Sequence, residues 1–175
     1  MAGSKKGAIF AVTNVLFKIY FKVNTLQLCS KLISVVEGPS GAGDQLHLYP
    51  LSDVVMYKYY LGRLKLFDDK YEEARDFLRF ALRNTPQKCL LNRQRILASL
   101  IPVEMCLGVI PTQLIASKYG FHEYFALGQA FRKGDIRTFD EVYYFHCRPC
   151  NIIFRPFVDF FSSSFSMHFV TSTPS

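Results

Sequence analysis

Residues 61–86 read LGRLKLFDDKYEEARDFLRFALRNTP, and the fold class can be inferred from these residues first. Apolar residues recur at helical spacing on both sides of Asp68-Asp69, which marks the break between two helices and the cap of the second. Gly62 and Ala74 stand where two antiparallel helices of a hairpin would approach closely, so a small side chain is sterically required at both positions. Pro86 closes the unit. The stretch therefore predicts a helical hairpin.

The small and large residues of this stretch also match a known repeat. Leu61-Gly62, Ala74, Leu78, Ala81 and Pro86 correspond to positions of a 34-residue tetratricopeptide (TPR) unit. The aromatic residue expected near the start of its first helix is replaced by Lys58, with Tyr57 beside it. The match is therefore degenerate, and a plain pair of helices remains the alternative.

The chain before this hairpin predicts two further helices. Ile9, Val12, Leu16, Ile19 and Tyr20 recur at three- and four-residue intervals, which places one apolar stripe opposite Lys18 and Lys22. Asn24-Thr25 offers a cap for a second helix over residues 26–36. Residues 37–50 contain GPSGAG and predict a flexible loop, and the first helix of the hairpin follows over residues 51–67.

The helical pattern continues after the hairpin's second helix at residues 71–83. A fifth helix is expected over residues 88–107, with a kink or break at Ile101 because Pro102 follows. A short sixth helix begins at Pro111-Thr112 and ends at Gly120. The seventh spans residues 123–133, and an eighth begins near Ile136. The predicted fold is thus all-α, a TPR-like helical-repeat solenoid over residues 5–141.

Composition narrows the class of protein. Half of the 175 residues are apolar and 20% are charged, which excludes wholesale disorder and fits one domain. The net charge of +7 favours an anionic partner, either nucleic acid or an acidic protein segment. The five cysteines are an odd number with no signal peptide before them, so we expect a reducing, intracellular compartment. The longest apolar window, residues 96–110, contains Pro102 and is too short to span a bilayer.

Residues 142–175 differ from the rest of the chain. They are dense in phenylalanine and serine, have neither a helical nor a strand period, and carry few charges. The end of a solenoid is normally capped by a polar face, whereas this segment would expose phenylalanine. We therefore expect an irregular C-terminal tail that is non-native or disordered.

Motifs for metal binding and catalysis are weak. His146, Cys147 and Cys150 form a single Cys-x-x-Cys beside a histidine, whereas a structural zinc site needs four ligands. Residues 38–43 lack the Gly-Lys-Ser/Thr ending of a phosphate loop. The carboxylates at residues 68–73 favour a helix start and a solvated face. We predict no metal, no cofactor, no catalytic residue and no enzymatic activity.

Basic residues are the candidate binding groups. They lie on the fourth helix, at the start of the fifth and around the Gly134-Asp135 turn: Arg79, Arg83, Lys88, Arg93, Arg95, Arg132, Lys133 and Arg137. They could contact phosphates or an acidic protein, since both interactions are led by charge. The solvated polar faces of a solenoid would give the same pattern. The tyrosines and phenylalanines between residues 57 and 80 could stack on bases, but at helical spacing we interpret them as core.

Long stretches of the chain resemble one family. Residues 14–29 (NVLFKIYFKVNTLQLC), 57–63 (YKYYLGR) and 100–103 (LIPV) are similar to PCI domain-containing protein two and its fungal counterparts. Further matching positions include Phe67-Asp68, Leu107-Gly108, Pro111-Thr112, Lys118-Tyr119 and Gly134-Asp135. The similarity runs from about Lys5 to Glu141 without large gaps.

The resemblance implies a PCI scaffold subunit of TREX-2, the complex that couples transcription to messenger-RNA export. It implies two partners, a large PCI scaffold subunit and a small acidic subunit shared with the proteasome lid. It also implies a location in the nucleus at nuclear pores, with the cytoplasm as a second location. Paired PCI subunits of this family present a joint face for RNA or DNA.

Two departures from the family limit what the resemblance carries over. The family has more helical repeats upstream, and its helices lead into a C-terminal winged helix that is missing here. Two functional classes follow for this chain. It is either a non-enzymatic scaffold that binds partner subunits, or a nucleic-acid-binding module that acts through its basic helix faces.

Overall fold

A computed structural model describes residues 8–38 and 43–142 of the chain. Eight α-helices account for most of this part, which contains no strand. They are α1 (Ile9–Val23), α2 (Gln27–Val36), α3 (Leu51–Phe67), α4 (Tyr71–Arg83), α5 (Leu90–Cys106), α6 (Gln113–Tyr119), α7 (His122–Lys133) and α8 (Ile136–Val142). A 3-10 helix, Gly43–Leu48, lies between α2 and α3. The predicted all-α fold is confirmed.

The helices form a stack of hairpins. Each of the pairs α1–α2, α3–α4 and α7–α8 is joined by a short connection and packs together, so its helices run antiparallel. The odd-numbered helices also contact one another in series, α1 with α3, α3 with α5 and α5 with α7. A succession of hairpins whose first helices contact one another is the arrangement of a TPR-like solenoid.

The α3–α4 hairpin is closed by the small residues that the sequence indicated. A Cβ atom added at Gly62 would lie 2.7 Å from Leu78 Cγ and 3.2 Å from the Ala74 carbonyl oxygen, distances too short for a larger residue. Ala74 and Leu78 are themselves fully buried. A second close approach was not predicted: a Cβ at Gly128 of α7 would lie 2.3 Å from Ile110 Cγ2.

Two hydrophobic cores fill the stack. The first core joins α1, α2 and α3 and contains Phe10, Phe17, Cys29, Val36, Tyr57, Leu61 and Leu64. The second core extends from the end of α3 to α8 and is built around Leu78, Ala81, Ile96, Val103 and Leu127. Helix α3 contributes to both cores, so it connects the two halves of the stack.

The predicted apolar stripe of α1 is wrong in part: Ile9 and Tyr20 pack against the first core, but two other members face solvent. Val12 is 57% exposed and Ile19 is 47% exposed, whereas Phe10, Thr13, Asn14 and Phe17 are buried. The polar pair is tolerated because each side chain finds a backbone acceptor. The Thr13 hydroxyl donates to the Ile9 carbonyl at 2.7 Å, and Asn14 Nδ2 donates to the Asp53 carbonyl at 2.9 Å. The second of these bonds ties α1 to α3.

Two of the predicted helix caps also differ. Asn24 ends α1 in a left-handed conformation, and α2 begins after Leu26 without a side-chain cap. Asp69 also has a left-handed conformation and separates α3 from α4. Helix α4 begins after Lys70 without a side-chain cap. The predictions at Thr112 and Gly120 are confirmed: the Thr112 hydroxyl accepts a hydrogen bond from the Ile115 N–H, and Gly120 ends α6 with φ of 76°.

Pro102 does not break its helix. Helix α5 runs continuously from Leu90 to Cys106, and Pro102 is buried within it. The predicted loop over residues 37–50 is partly helical, since the 3-10 helix occupies Gly43–Leu48. The predictions for the tail concern residues that lie, apart from Val142, outside the described part of the chain.

Candidate partner-binding surface

Two of the eight candidate basic residues hold the fold together. Arg79 on α4 contacts Glu104 on α5, with Nε and Nη2 each 2.8 Å from Glu104 Oε1. This pair is partly buried, and two nitrogens of the guanidinium converge on one carboxylate oxygen, so it is stronger than an exposed ion pair. The Arg79 guanidinium therefore joins α4 to α5.

Arg93 is bound by three acceptors within the chain. Its Nη1 donates to the Leu82 carbonyl at 3.0 Å and to the Thr85 carbonyl at 2.7 Å, and its Nε donates to the Tyr119 hydroxyl at 3.0 Å. Leu82 and Thr85 lie at the C-terminal end of α4, where carbonyl groups lack helical partners and a cation is favoured. Arg93 thus fastens the end of α4 to α5 and α6.

The other six candidates are exposed. Arg83, Lys88 and Arg95 lie around the connection between α4 and α5. Arg132, Lys133 and Arg137 lie around the turn between α7 and α8, where Arg137 Nε is 3.6 Å from Glu141 Oε1. That pair is largely solvent-exposed and contributes little to stability. The candidates therefore form two groups, each at a different junction of the stack.

A cavity of about 390 Å³ lies beside the first group, between α3, α5 and the connection that precedes α5. Its apolar lining includes Val55, Met56 and Ile96, and Tyr59 and Tyr60 stand along α3. Asn84, Thr85, Pro86 and Cys89 line the side formed by the connection. None of the described residues that line this cavity is an aspartate or a glutamate.

Arg63 of α3 and Arg95 of α5 bring positive charge to this cavity. The Arg63 guanidinium carbon lies 4.4 Å from the Phe21 ring centroid and 5.7 Å from that of Tyr59, which holds it by cation–π attraction. Within the described residues, the buried Arg63 Nε has no hydrogen-bond partner. Arg95 likewise makes no ion pair with any carboxylate in the described ranges.

The charges of both arginines influence the pKa of Tyr60, which lines the same cavity. Burial raises the pKa of Tyr60, as does the neighbouring Tyr59, while the charges of Arg63 and Arg95 lower it. Both guanidinium groups are therefore close enough to influence the same hydroxyl. Sequence reasoning selected Arg95 but missed Arg63. The available signal was the four-residue spacing from Tyr59 to Arg63, which places both on one face of a helix.

The described residues contain no candidate metal cluster, and two of their cysteines are held as thiols. They contain no group of three or more histidine, cysteine, aspartate or glutamate side chains that could hold a metal ion. Burial raises the pKa of the Cys29 thiol, and burial with the nearby Asp69 charge raises that of Cys106 to about 12. Both thiols are therefore held protonated and unreactive. The His146, Cys147 and Cys150 motif lies outside the described residues.

The acidic cluster that follows α3 is a solvated face, as its position at a helix start indicated. Asp68, Asp69, Glu72 and Glu73 are all exposed. Glu73 Oε2 lies 2.6 Å from Lys65 Nζ, and this hydrogen bond lowers the pKa of the Glu73 carboxyl. No helix in the described part of the chain has the length and apolar character needed to cross a bilayer.

A comparison with known protein families shows which class of protein this chain belongs to. Residues 5–127 match the family model of PSMD3-like, N-terminal TPR repeats, so the chain belongs to this helical-repeat family. The match covers most of the eight-helix stack, including the α3–α4 hairpin and the cavity between α3 and α5.

Individual relatives narrow the class further. The chain is 34% identical over 141 residues to a PCI domain-containing protein 2 homolog of Dictyostelium discoideum, covering 81% of this chain and 32% of the relative. It is 36% identical over 133 residues to PCI domain-containing protein 2 of Danio rerio, covering 76% and 32%. Enhanced ethylene response protein 5 of Arabidopsis thaliana is 38% identical over 135 residues, covering 77% and 32%.

These relatives confirm the resemblance to the PCI domain-containing protein 2 family over the helical repeats. The chain spans about a third of the length of the curated relatives it matches. In class it is a PSMD3-like helical-repeat protein whose repeats are similar to those of PCI domain-containing protein 2.

Proposed function

We propose that the chain is a non-enzymatic scaffold subunit that binds partner subunits through its helical repeats. The observation that carries the proposal is the match of residues 5–127 to PSMD3-like TPR repeats, together with similarity to PCI domain-containing protein 2. Stacked hairpins present long helix faces to partners and do not require a catalytic centre. The protonated, buried thiols of Cys29 and Cys106 are consistent with this role.

The complex we propose is the nuclear complex that couples transcription to messenger-RNA export. Its partners would be a large PCI scaffold subunit and a small acidic subunit shared with the proteasome lid. The net charge of +7 supports an acidic partner, since opposite charges speed encounter and fix orientation. We propose a location in the nucleus at nuclear pores, with the cytoplasm as a second location.

Co-purification tests this function. The tagged full chain would be co-expressed with the small acidic subunit, and separately with the large PCI subunit, and analysed by size-exclusion chromatography. We expect at least one partner to elute with the chain in a stoichiometric peak at physiological salt. Elution of both partners apart from a folded chain, as judged by circular dichroism, would reject the scaffold role for this polypeptide.

A nucleic-acid-binding module is the second candidate. The observation that favours it is the exposure of Arg83, Lys88, Arg95, Arg132 and Lys133, none of which is in an ion pair within the described residues. Phosphate contacts by such residues release counterions, so affinity for a labelled uridine oligonucleotide should fall steeply with salt. If the affinity for the oligonucleotide does not change with salt while partner binding is intact, the nucleic-acid role is rejected and only the scaffold role remains.

A further inference from the structure

The cavity between α3 and α5 combines two features that point to a ligand. It has an apolar interior, and it has one arginine on each of two facing helices. In the part of the chain that the structure describes, no carboxylate lines it. We propose that it binds an acidic peptide segment, which inserts one apolar side chain and places carboxylates on Arg63 and Arg95. This inference rests on the proposed scaffold function and specifies where and how a partner would be held.

Arg63 is prepared for such a carboxylate. Its guanidinium is held against the rings of Phe21 and Tyr59, at 4.4 Å and 5.7 Å from their centroids, so little side-chain freedom remains to be lost on binding. Its Nε is buried and, among the described residues, has no acceptor. Because that nitrogen is covered by protein atoms, an arriving carboxylate would meet the guanidinium where it lines the cavity, through a charge-assisted hydrogen bond.

Arg95 supplies the second charge from the opposite wall. It is exposed, it lines the same cavity, and it shares with Arg63 an influence on the Tyr60 hydroxyl. Two guanidinium groups on separate helices require carboxylates at two points of a ligand. A segment with acidic residues on both sides of its apolar anchor meets this requirement.

The interior of the cavity selects an apolar anchor. Val55, Met56 and Ile96 provide the apolar surface, and methionine adapts to side chains of different shape. The volume of about 390 Å³ lies at the lower end of the range for ligand sites, roughly 300–1,000 Å³. It suits one aromatic or branched aliphatic side chain with its neighbours in the chain.

A peptide fits this cavity better than a nucleic acid. Binding of single strands depends on aromatic faces that are free to stack with bases. Here Tyr60 packs against Phe17, Phe21 and Tyr59, with centroid distances of 5.4 to 5.6 Å. Tyr59 is further covered by Arg63. The rings therefore form a wall with their faces already occupied.

Fluorescence anisotropy tests the proposal with the full chain. The probe is a short fluorescein-labelled peptide in which aspartates and glutamates flank one phenylalanine. Arg95→Glu should weaken its binding by roughly tenfold or more, because one charge-assisted contact becomes repulsive. Arg132→Glu changes the net charge equally, but at an exposed position outside the cavity, and should weaken binding less than about twofold under physiological screening.

Arg63→Gln is a second variant with the same expected loss of affinity. Because Arg63 also packs on Phe21, its folding would be verified by circular dichroism. Arg95 is exposed and makes no ion pair in the described part of the chain, so Arg95→Glu remains decisive even if Arg63→Gln unfolds. Equal losses for Arg95→Glu and Arg132→Glu would overturn the proposal, because they would show attraction by net charge alone.

Cys89 provides an independent readout inside the cavity. It is half-buried and lines the site, and trypsin releases it in the peptide CLLNR of residues 89–93, apart from every other cysteine. The acidic peptide should slow alkylation of Cys89 several-fold, measured by mass spectrometry of that fragment. A peptide with lysine in place of each acid should not. Protection by a uridine oligonucleotide, with none by the acidic peptide, would overturn the proposal in favour of nucleic acid.

The outcomes separate this site from the wider function. If the wild-type chain co-purifies with a partner subunit but Arg95→Glu leaves peptide affinity and Cys89 protection unchanged, the cavity proposal fails and the scaffold role stands. If the folded wild-type chain binds neither the acidic peptide nor a partner subunit, both fail together.

Discussion

The two hydrophobic cores are filled in different ways. The first core, around α1 to α3, is rich in aromatic residues: Phe10 meets Tyr57 edge-on at 4.9 Å, and Phe17 stacks on Tyr57 at 5.8 Å. The second core is mainly aliphatic and depends on small residues such as Ala74 and Ala81. Large rings fill the space between separated helices, whereas small residues let helix backbones approach closely.

This difference explains where the cavity lies. Tyr60 packs against the first core, while Tyr59 and Val55 pack against the second, and all three line the cavity. The site therefore sits on the seam between an aromatic core and an aliphatic one. Helices on either side are fixed by different packing, so the seam is where the stack leaves a concave space.

The largest effect should come from the aromatic core. Phe17→Ala removes a fully buried ring in contact with Tyr57 and Tyr60, and should lower the free energy of unfolding by about 3–5 kcal/mol. Ile19→Ala lies on the exposed side of the same helix and should change it by no more than about 0.5 kcal/mol. Urea denaturation measures both. Similar losses in the two variants would show that α1 is rotated from the orientation described.

The close approach in the α3–α4 hairpin should give the next largest effect. Gly62→Val places methyl groups against Leu78, which is fully buried and has no space to move, and should destabilise the chain by about 2–3 kcal/mol. Ala11→Val, at an exposed position of α1, isolates the cost of a β-branched residue in a helix, below about 0.7 kcal/mol. Thermal unfolding of the pair would measure the difference. A Gly62→Val protein as stable as Ala11→Val would mean that the hairpin can open at no cost.

The sequence predicted the helices around the second, aliphatic core better than helix α1 of the first core. Gly62, Ala74, Gly120 and Gly134 mark close approaches and helix ends, which are local steric requirements visible in residue type and spacing. Helix α1 offered no such guide, because apolar residues occur on all its sides. Its buried face includes Asn14, whose acceptor is the carbonyl of Asp53, 39 residues away. Spacing alone could not reveal that bond.

The candidate binding residues show the same limit. Composition and position along helices drew attention to basic residues, but the partners of these residues depend on which helices meet. Arg79 and Arg93 bind acceptors on neighbouring elements, and Arg63 gains its setting from Phe21 of α1. Only tertiary packing distinguishes an arginine that fastens two helices from one that faces a cavity.

Two arginines of α5 sharpen this distinction. Arg93→Lys should destabilise the chain by about 1–2 kcal/mol, because an ammonium group cannot reproduce the fork that binds Leu82, Thr85 and Tyr119. Arg95→Lys should have an effect within about 0.5 kcal/mol, since Arg95 is exposed. Chemical denaturation would compare them. If Arg95→Lys lowered stability more than Arg93→Lys, Arg95 would be the structural residue and Arg93 the ligand-facing one.

The smallest effect concerns a thiol of the aliphatic core and its dependence on pH. Burial and the nearby Asp69 raise the pKa of Cys106 to about 12, against an ordinary value of 9.0 for an exposed thiol. Between these values the unfolded chain releases a proton that the folded chain retains. This thiol therefore makes stability fall as pH rises above about 9, and it has no such influence at lower pH.

Cys106→Ala isolates this contribution. Urea midpoints would be measured at several values from pH 8 to pH 10.5, a window chosen to cross the thiol's ordinary pKa of 9.0. The variant should start from a lower midpoint, because a buried side chain is shortened, but lose stability less steeply as pH rises. The Cys29 thiol, whose pKa is also raised by burial, is retained in both proteins and contributes equally. Parallel pH profiles for the two proteins would show that Cys106 ionises as readily in the folded chain as in the unfolded one. The packing of α5 in the aliphatic core would then be looser than the burial of its side chains indicates.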